Sequence, residues 1–95
     1  MHVQIVRFKL KPSTQLEAFL QLTEQMIAWL KTRNGFLAYE LYEGSEWWSD
    51  RIAWKNEECA QYGLQEFLNT TIAEEMRLLV EDDYTSFFGE VVASA

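Results

Sequence analysis

Two strand-forming segments on either side of Gly44-Ser45 place the strongest constraint on the fold. Residues 36–43 (FLAYELYE) and 46–55 (EWWSDRIAWK) are rich in aromatic and aliphatic side chains, a composition typical of β-strands. A Gly-Ser pair suits a two-residue hairpin turn. The sequence therefore predicts an antiparallel hairpin in which Glu43 pairs with Glu46 and Tyr39 lies opposite Asp50.

The two faces of this predicted hairpin differ in character. The first face is almost entirely apolar and carries Leu37, Tyr39, Leu41, Trp48, Asp50, Ile52 and Trp54. The second face is mixed and carries Phe36, Ala38, Glu40, Tyr42, Trp47, Ser49, Arg51 and Ala53. We expect helices to cover the first face. The aromatic side chains of the second face then need another cover, and the same face of a second copy is the simplest one. The sequence therefore predicts a homodimer formed through the sheets.

The rest of the chain predicts two more strands and the helices between them. The predicted elements are a strand at 2–11, a helix at 14–33, a helix that begins after Asn56, a shorter helix at 71–80 and a strand at 84–92. The order βαββαβ predicts an α+β, ferredoxin-like fold: a four-stranded antiparallel sheet with its helices on one face.

Local signals place the helix ends. Thr14 with Glu17, and Thr71 with Glu74, have the spacing of capping boxes. Asn56 suits an N-cap position, and Gly35 suits the left-handed residue that follows a helix.

Composition restricts the class of protein. The length of 95 residues predicts a single domain over 1–95. The net charge of −7, with scattered basic residues, argues against nucleic acid and anionic membranes as partners. The single cysteine, Cys59, is consistent with a reducing, cytoplasmic location. No signal peptide or membrane-spanning run is recognised.

Three motifs carry a resemblance to a known group of proteins. They are VRFKLKP (6–12), NGFLAYELYEG (34–44) and WWSDRIAWKNEECA (47–60). With these motifs the chain resembles the dimeric α+β barrel superfamily, in particular its antibiotic-biosynthesis-monooxygenase-like (ABM) domains. The resemblance implies two sheets that close into a barrel across a two-fold axis, with a pocket between sheet and helices in each subunit.

The resemblance also implies a range of activities. Members include cofactor-free oxygenases of aromatic polyketides and quinols, haem-degrading enzymes, isomerases, and proteins without an assigned activity. The haem-degrading branch uses an Asn on the first strand and a His in the second half of the chain, and this sequence has neither. The leading hypothesis is a cofactor-free monooxygenase-like protein acting on a small aromatic or quinol-type substrate. The alternative is a non-catalytic ligand-binding or stress-related dimer.

Asp50 is the candidate catalytic residue. On the apolar face a carboxylate loses solvation and its pKa rises, so that it can act as a base towards a phenol or quinol. Alternatively, Asp50 accepts hydrogen bonds from Tyr39 or from an N–H group and fixes the core. A single bulge would move it to the other face. Tyr39, Trp54 and Trp48 are the candidate substrate-binding residues.

The remaining polar residues are predicted to be structural. Glu40 and Arg51 are expected to form an ion pair at the dimer interface or barrel interior. His2 is expected to be an exposed strand residue, and Cys59 a buried inert thiol. With one His and one Cys, a metal site is not expected. The four glycines are isolated, so no nucleotide-binding loop and no cofactor are predicted.

Overall fold

The computed structural model describes residues 1–95. Four strands and three helices follow one another as β1 (His2–Phe8), α1 (Leu16–Leu30), β2 (Phe36–Glu43), β3 (Trp48–Trp54), α2 (Glu57–Leu68), α3 (Thr71–Leu79) and β4 (Thr85–Glu90). The strands form one antiparallel sheet in the order β2-β3-β1-β4. The predicted α+β, ferredoxin-like fold is therefore confirmed.

The predicted strand boundaries hold for one strand of the four, and the other three strands are shorter than predicted. β2 has the predicted bounds, whereas β1 ends at Phe8 and β3 begins at Trp48. Beyond β1 the chain makes only an isolated bridge between Leu10 and Val80. Residues 9–11 thus leave the sheet before Pro12.

Capping departs from the prediction at the N-termini of two of the three helices. The side chain of Asn56 accepts a hydrogen bond from the backbone N–H of Cys59 at 2.8 Å, as predicted. The capping box at Thr14 does not form, because its hydroxyl donates to the carbonyl oxygen of Leu79 at 2.7 Å. The cap of α3 is Thr70, not Thr71, and its hydroxyl accepts from the N–H of Ala73. Thr14 therefore ties the start of α1 to the last turn of α3.

The predicted hairpin register was wrong by two residues. Glu43 pairs with Trp48, and Leu41 lies opposite Asp50. The turn lies one residue further along, with the N–H of Gly44 bonded to the carbonyl oxygen of Trp47 at 2.9 Å. Because side chains alternate with a period of two, this shift leaves every residue of β3 on its predicted face.

A β-bulge at the start of β2 corrects the prediction for two residues. Phe36 pairs with Trp54 and Ala38 with Ala53, so Leu37 is the extra residue. Phe36 therefore joins the helix-facing core, where its ring meets that of Trp54 edge-on with centroids 6.0 Å apart. Leu37, which was expected in the core, is 53% exposed.

Trp54 is at the centre of the core between sheet and helices. It is 2% exposed and packs with Met26, Leu30 and Ala60. α2 approaches the indole ring through a glycine: a Cβ added to Gly63 would lie 2.3 Å from Cη2 of Trp54. The missing side chain thus sets how closely α2 packs on β3.

The opposite face of the sheet carries no helices. Tyr42 and Phe87 are 44% and 61% exposed. The predicted ion pair lies here: Glu40 and Arg51 are directly opposite each other, with Nη1 of Arg51 3.1 Å from Oε1 of Glu40. No helix of the chain is long and apolar enough to cross a bilayer.

Replacing Gly63 by Ala should destabilise the protein. Gly to Ala in a helix interior normally stabilises by about 0.5–1 kcal/mol, but here the new methyl group overlaps the Trp54 ring. Overpacking of this kind costs roughly 1–3 kcal/mol. Urea unfolding measures the change, with Gln65→Ala on the exposed side of α2 as the control. A Gly63→Ala variant as stable as the control would show that α2 can move away from the ring freely.

Candidate functional site

A cavity of about 340 Å³ lies between the sheet and the helices. Of its 23 lining residues 16 are hydrophobic, so its interior suits an apolar molecule. The volume lies at the lower end of the range for small-molecule sites, about 300–1,000 Å³. The sheet supplies its floor, and Met26 and Leu30 of α1, Phe67 of α2 and Met76 of α3 lie around it.

The floor of the cavity has a regular pattern because the strand register brings side chains into rows. One row runs Tyr39, Ile52, Gln4 and Phe88 across the four strands. The next row runs Leu41, Asp50, Val6 and Ser86. All but Leu41 line the cavity. Asp50 is therefore a neighbour, across strands, of both Tyr39 and Gln4.

Tyr39 and Asp50 form the one hydrogen-bonded polar pair in this apolar floor. The Tyr39 hydroxyl donates to Oδ2 of Asp50 at 2.9 Å. Burial raises the pKa of Asp50 from an ordinary 3.8 to about 6, against the lowering effect of the Tyr39 hydrogen bond. Burial, together with the neighbouring Asp50 charge, raises the pKa of Tyr39 far above its usual value. At neutral pH the pair is thus a neutral phenol bonded to a carboxylate that binds protons unusually well.

Two buried polar atoms at the cavity have no hydrogen-bond partner. They are Oδ1 of Asp50 and Nε1 of Trp54, and neither has appreciable solvent contact. An unpaired buried donor or acceptor destabilises a fold by roughly 1–3 kcal/mol. Two such atoms beside one cavity mark it as a place where the chain's own packing leaves polar groups unused.

Three of the four candidate site residues come together at this cavity. Asp50, Tyr39 and Trp54 line it, and the Tyr39–Asp50 hydrogen bond that the structural alternative for Asp50 named is present. Trp48 does not line it. Its ring packs edge-on against Phe19, with centroids 5.3 Å apart. Trp48 is therefore not part of the site.

His2 and Cys59 are the other two residues with a predicted environment. His2 is 7% exposed, and its Nδ1 lies 2.7 Å from Oε1 of Glu90, so the prediction of an exposed residue was wrong. Glu90 on β4 is the pairing partner of His2, and the His2 ring stacks beside the ring of Phe88. Cys59 is half-buried rather than buried, and its Sγ occupies the space that a Cβ on Gly35 would need.

Gln4 is a site residue that sequence reasoning missed. It lies on the central strand β1, is 8% exposed and lines the cavity. The sequence did contain a signal. Gln4, Val6 and Phe8 are alternate residues of β1 and share its core-facing side, so the carboxamide interrupts an apolar face. Arg77, Glu81 and Asp82 also line the cavity, and they belong to α3 and the segment after it.

No three side chains among the His, Cys, Asp and Glu residues lie close enough together to hold a metal ion. The side chains that line the cavity offer a carboxylate with a raised pKa, a phenol and a carboxamide, whereas the indole N–H of Trp54 has no solvent contact. These groups can exchange a proton with a ligand and hold its polar atoms.

Solved structures of other proteins share this architecture. SnoaB from Streptomyces nogalater, described as a cofactor-independent oxygenase, superposes with a TM-score of 0.82 at 14% identity, over 98% of this chain and 94% of SnoaB. An antibiotic biosynthesis monooxygenase superposes with a TM-score of 0.76 at 15% identity, over 98% of this chain and all of the other. The fold is that of the antibiotic biosynthesis monooxygenases. The resemblance of the sequence to ABM domains is thus confirmed as a shared fold.

The same ABM fold occurs without an assigned activity. NE2512 from Nitrosomonas europaea, of unknown function, superposes with a TM-score of 0.70 at 20% identity, over 99% of this chain and 91% of the other. No protein-family model and no curated protein sequence matches the chain. At these identities the comparison shows the fold.

Stability should fall with rising pH because of Asp50. Its pKa is higher in the folded state, about 6, than the ordinary 3.8, so the folded protein binds this proton more tightly. The resulting stabilisation is complete below about pH 4 and is lost as the pH rises through 6, by about 3 kcal/mol. Asp50→Asn lacks this titration. Urea unfolding from pH 4 to 8 should therefore show the variant gaining about that amount relative to wild type. Parallel pH profiles would mean that Asp50 keeps an ordinary pKa.

Proposed function

We propose that the protein is a cofactor-free oxygenase that binds a small, flat aromatic molecule in the cavity, with Asp50 as the base. The observation that carries the proposal is the Tyr39–Asp50 pair, a carboxylate with a pKa near 6 on the floor of an apolar cavity. A pKa near the working pH favours general base catalysis. Burial among apolar side chains also excludes water from the reacting anion.

The hydrogen bond defines a route for the proton. Tyr39 donates to Oδ2 of Asp50, so the remaining lone pairs of the Tyr39 oxygen can accept a hydrogen bond from a substrate hydroxyl. Transfer of the substrate proton to Tyr39, and of the Tyr39 proton to Oδ2, leaves a substrate anion, a neutral tyrosine and a protonated Asp50. The high pKa of Tyr39 disfavours a tyrosinate, so both transfers should occur together.

The oxidation then needs molecular oxygen as the only co-reactant. An electron-rich anion, such as that formed when the enol tautomer of an anthrone loses its hydroxyl proton, transfers one electron to O₂. The two radicals combine at the ring carbon that is CH₂ in the keto tautomer and form a carbon-bound peroxide. Protonated Asp50 returns its proton to the peroxide. Loss of water from the hydroperoxide leaves a carbonyl group at the former CH₂ position, so one oxygen atom enters the product and the other leaves in water.

Trp54 has a supporting role in this proposal. Its ring forms part of the cavity wall and offers a flat surface against which an aromatic ring can pack. The fold shared with SnoaB, a cofactor-independent oxygenase, supports this class of reaction. The oxygenase needs no metal or organic cofactor.

A non-catalytic ligand-binding protein is the second candidate. The observation that favours it is the lack of solvent contact at Oδ1 of Asp50, the carboxylate oxygen that Tyr39 does not occupy. In this case the Tyr39–Asp50 bond fixes the sheet floor, and the cavity holds a ligand without changing it. The two candidates differ in whether Asp50 is needed for turnover.

Replacing Asp50 by Asn separates the two functions. The change preserves the shape of the side chain but removes the base, so oxygen uptake with 1,8-dihydroxyanthrone and a panel of hydroquinones should fall at least 100-fold, the lower range for general base catalysis. An oxygen electrode measures uptake above the uncatalysed rate. Tyr39→Phe should also lower uptake, because it interrupts the proton route.

Leu78→Ala on the exposed side of α3 provides a control outside the cavity, since Leu78 is 71% exposed. Equal uptake by wild type and Asp50→Asn would exclude Asp50 as the base. Ligand binding without any uptake by wild type would select the non-catalytic function.

We also propose that two copies associate through the face of the sheet that carries no helices. Tyr42 and Phe87 are exposed there, and the Glu40–Arg51 pair has its two side chains 52% and 25% exposed. A second copy would bury this apolar surface, and it would shield the ion pair from water. A dimer through this face leaves the cavity, on the other side of the sheet, within each subunit.

Light scattering after size exclusion should therefore give twice the chain mass of 11.2 kDa. Phe87→Glu should produce a folded monomer, because a carboxylate cannot be buried in an apolar interface without a large loss of hydration. Leu78→Glu, on a helix away from that face, is the matched control and should remain dimeric. A wild-type monomer at micromolar concentration, or a dimeric Phe87→Glu, would contradict association through this face.

A further inference from the structure

Gln4 is a buried polar side chain that the proposed proton route does not use. It is 8% exposed and occupies the middle of the central strand, opposite Ile52 on β3 and Phe88 on β4. None of the side-chain hydrogen bonds near it involves its carboxamide. The polar atoms that are both unpartnered and sealed from solvent belong to Asp50 and Trp54 alone. The carboxamide of Gln4 therefore opens onto the cavity that it lines.

Burying an unpaired carboxamide opposes folding. Gln4 is only 8% exposed and its carboxamide has no protein partner, so a hydrogen bond that the contents of the cavity do not supply is lost, at a cost of roughly 1–3 kcal/mol. Apolar residues, Ile52 and Phe88, flank it on the two neighbouring strands. A Leu or Met at this position would fill the same space without that cost. The carboxamide thus has the features of a group whose partner is a ligand.

The strand register places Gln4 close to the proposed base. Gln4 pairs with Ile52, and Asp50 lies two residues before Ile52 on the same face. Such diagonal neighbours have their Cβ atoms roughly 7 Å apart. Tyr39 lies in the same row as Gln4, on the other side of Ile52. A single flat ring on this floor can therefore contact the Tyr39–Asp50 pair at one substituent and Gln4 at another.

A carboxamide next to a base suits a substrate whose charge moves on ionisation. When a phenol carries a conjugated ketone, removing the hydroxyl proton shifts negative charge onto the ketone oxygen. The two N–H donors of a carboxamide can stabilise that oxygen, and they do so as a neutral group, without the cost of burying a second charge. Donors aimed at a developing oxyanion are an effective source of catalysis.

We infer that Gln4 binds the carbonyl oxygen of the substrate, and that the cavity selects rings in which a ketone is conjugated with the ionising hydroxyl group. The inference rests on the proposed function for the identity of the base, and it assigns recognition of the substrate's ketone to Gln4. Gln4 touches the substrate in this arrangement, whereas Trp54 supplies an apolar wall.

A pair of compounds that differ only in the ketone tests the inference. They are 6-hydroxy-1-tetralone, whose hydroxyl is para to the acyl group, and 5,6,7,8-tetrahydro-2-naphthol, the same ring system without the ketone. Calorimetric titration of the wild type should show preference for the ketone by roughly 10-fold, the value of one good hydrogen bond. Gln4→Met, which keeps the length of the side chain without its donors, should abolish this preference by weakening ketone binding alone.

Two further variants make the result interpretable. Gln25→Met on the exposed side of α1 is the matched control and should keep the preference. Gln4→Leu repeats the test with a second apolar side chain, and thermal unfolding confirms that each variant is folded. A preference that survives in both Gln4 variants, or a wild type that binds the two compounds equally or not at all, would overturn the inference.

Oxygen uptake distinguishes failure of this inference from failure of the proposed function. If uptake requires Asp50 but the ketone preference does not require Gln4, the oxygenase stands and the role of Gln4 falls. If the preference requires Gln4 but no variant or wild type consumes oxygen, Gln4 binds the ketone of a ligand that the protein does not oxidise.

Discussion

The contact between Trp54 and α2 is the constraint on which the rest of the structure depends. The ring is the largest fully buried side chain of the core and meets α2 at Gly63, where no Cβ stands in the way. Because of the bulge in β2, the ring of Phe36 packs edge-on against the same Trp54 ring. Trp54 and Gly63 also line the cavity, whose floor continues along the sheet to Asp50 and Gln4. The contact that fixes α2 on the sheet is therefore also part of the cavity wall.

The cavity floor carries groups that oppose folding. Asp50 has one carboxylate oxygen without a partner, and its raised pKa corresponds to about 3 kcal/mol of lost stability at neutral pH. The Tyr39 hydrogen bond limits that loss without removing it. An asparagine would keep the hydrogen bond from Tyr39 and avoid the charge, so a purely structural role does not require a carboxylate. That difference favours a role for the proton itself, and it is the physical reason to rank the oxygenase above the non-catalytic alternative.

Much of the fold follows from the sequence because the signals that determine it are periodic. The alternation in 48–54 places Trp48, Asp50, Ile52 and Trp54 on one face, and this prediction holds even though the hairpin register was wrong by two residues. Details that depend on one residue were less predictable. The bulge at Leu37 and the choice of Thr70 over Thr71 as the cap of α3 involve small differences between local alternatives, which contacts elsewhere in the fold decide. Thr14 is a clear case, since its partner, Leu79, is distant in sequence.

The candidate site shows the same division between pattern and context. Asp50 could be recognised from the sequence because a charged residue interrupts an apolar face, and the Tyr39–Asp50 hydrogen bond could be anticipated from two neighbouring strands. Gln4 interrupts an apolar face in the same way, but its meaning depends on the order of the strands, which brings β1 between β3 and β4. A terminal strand in the sequence thereby becomes a central strand in the sheet, and a residue near the N-terminus lies beside the middle of the hairpin. The topology brings two polar residues that are far apart in the sequence, Asp50 and Gln4, next to each other on one cavity floor. Together they suit a ligand with one acidic hydroxyl and one hydrogen-bond acceptor.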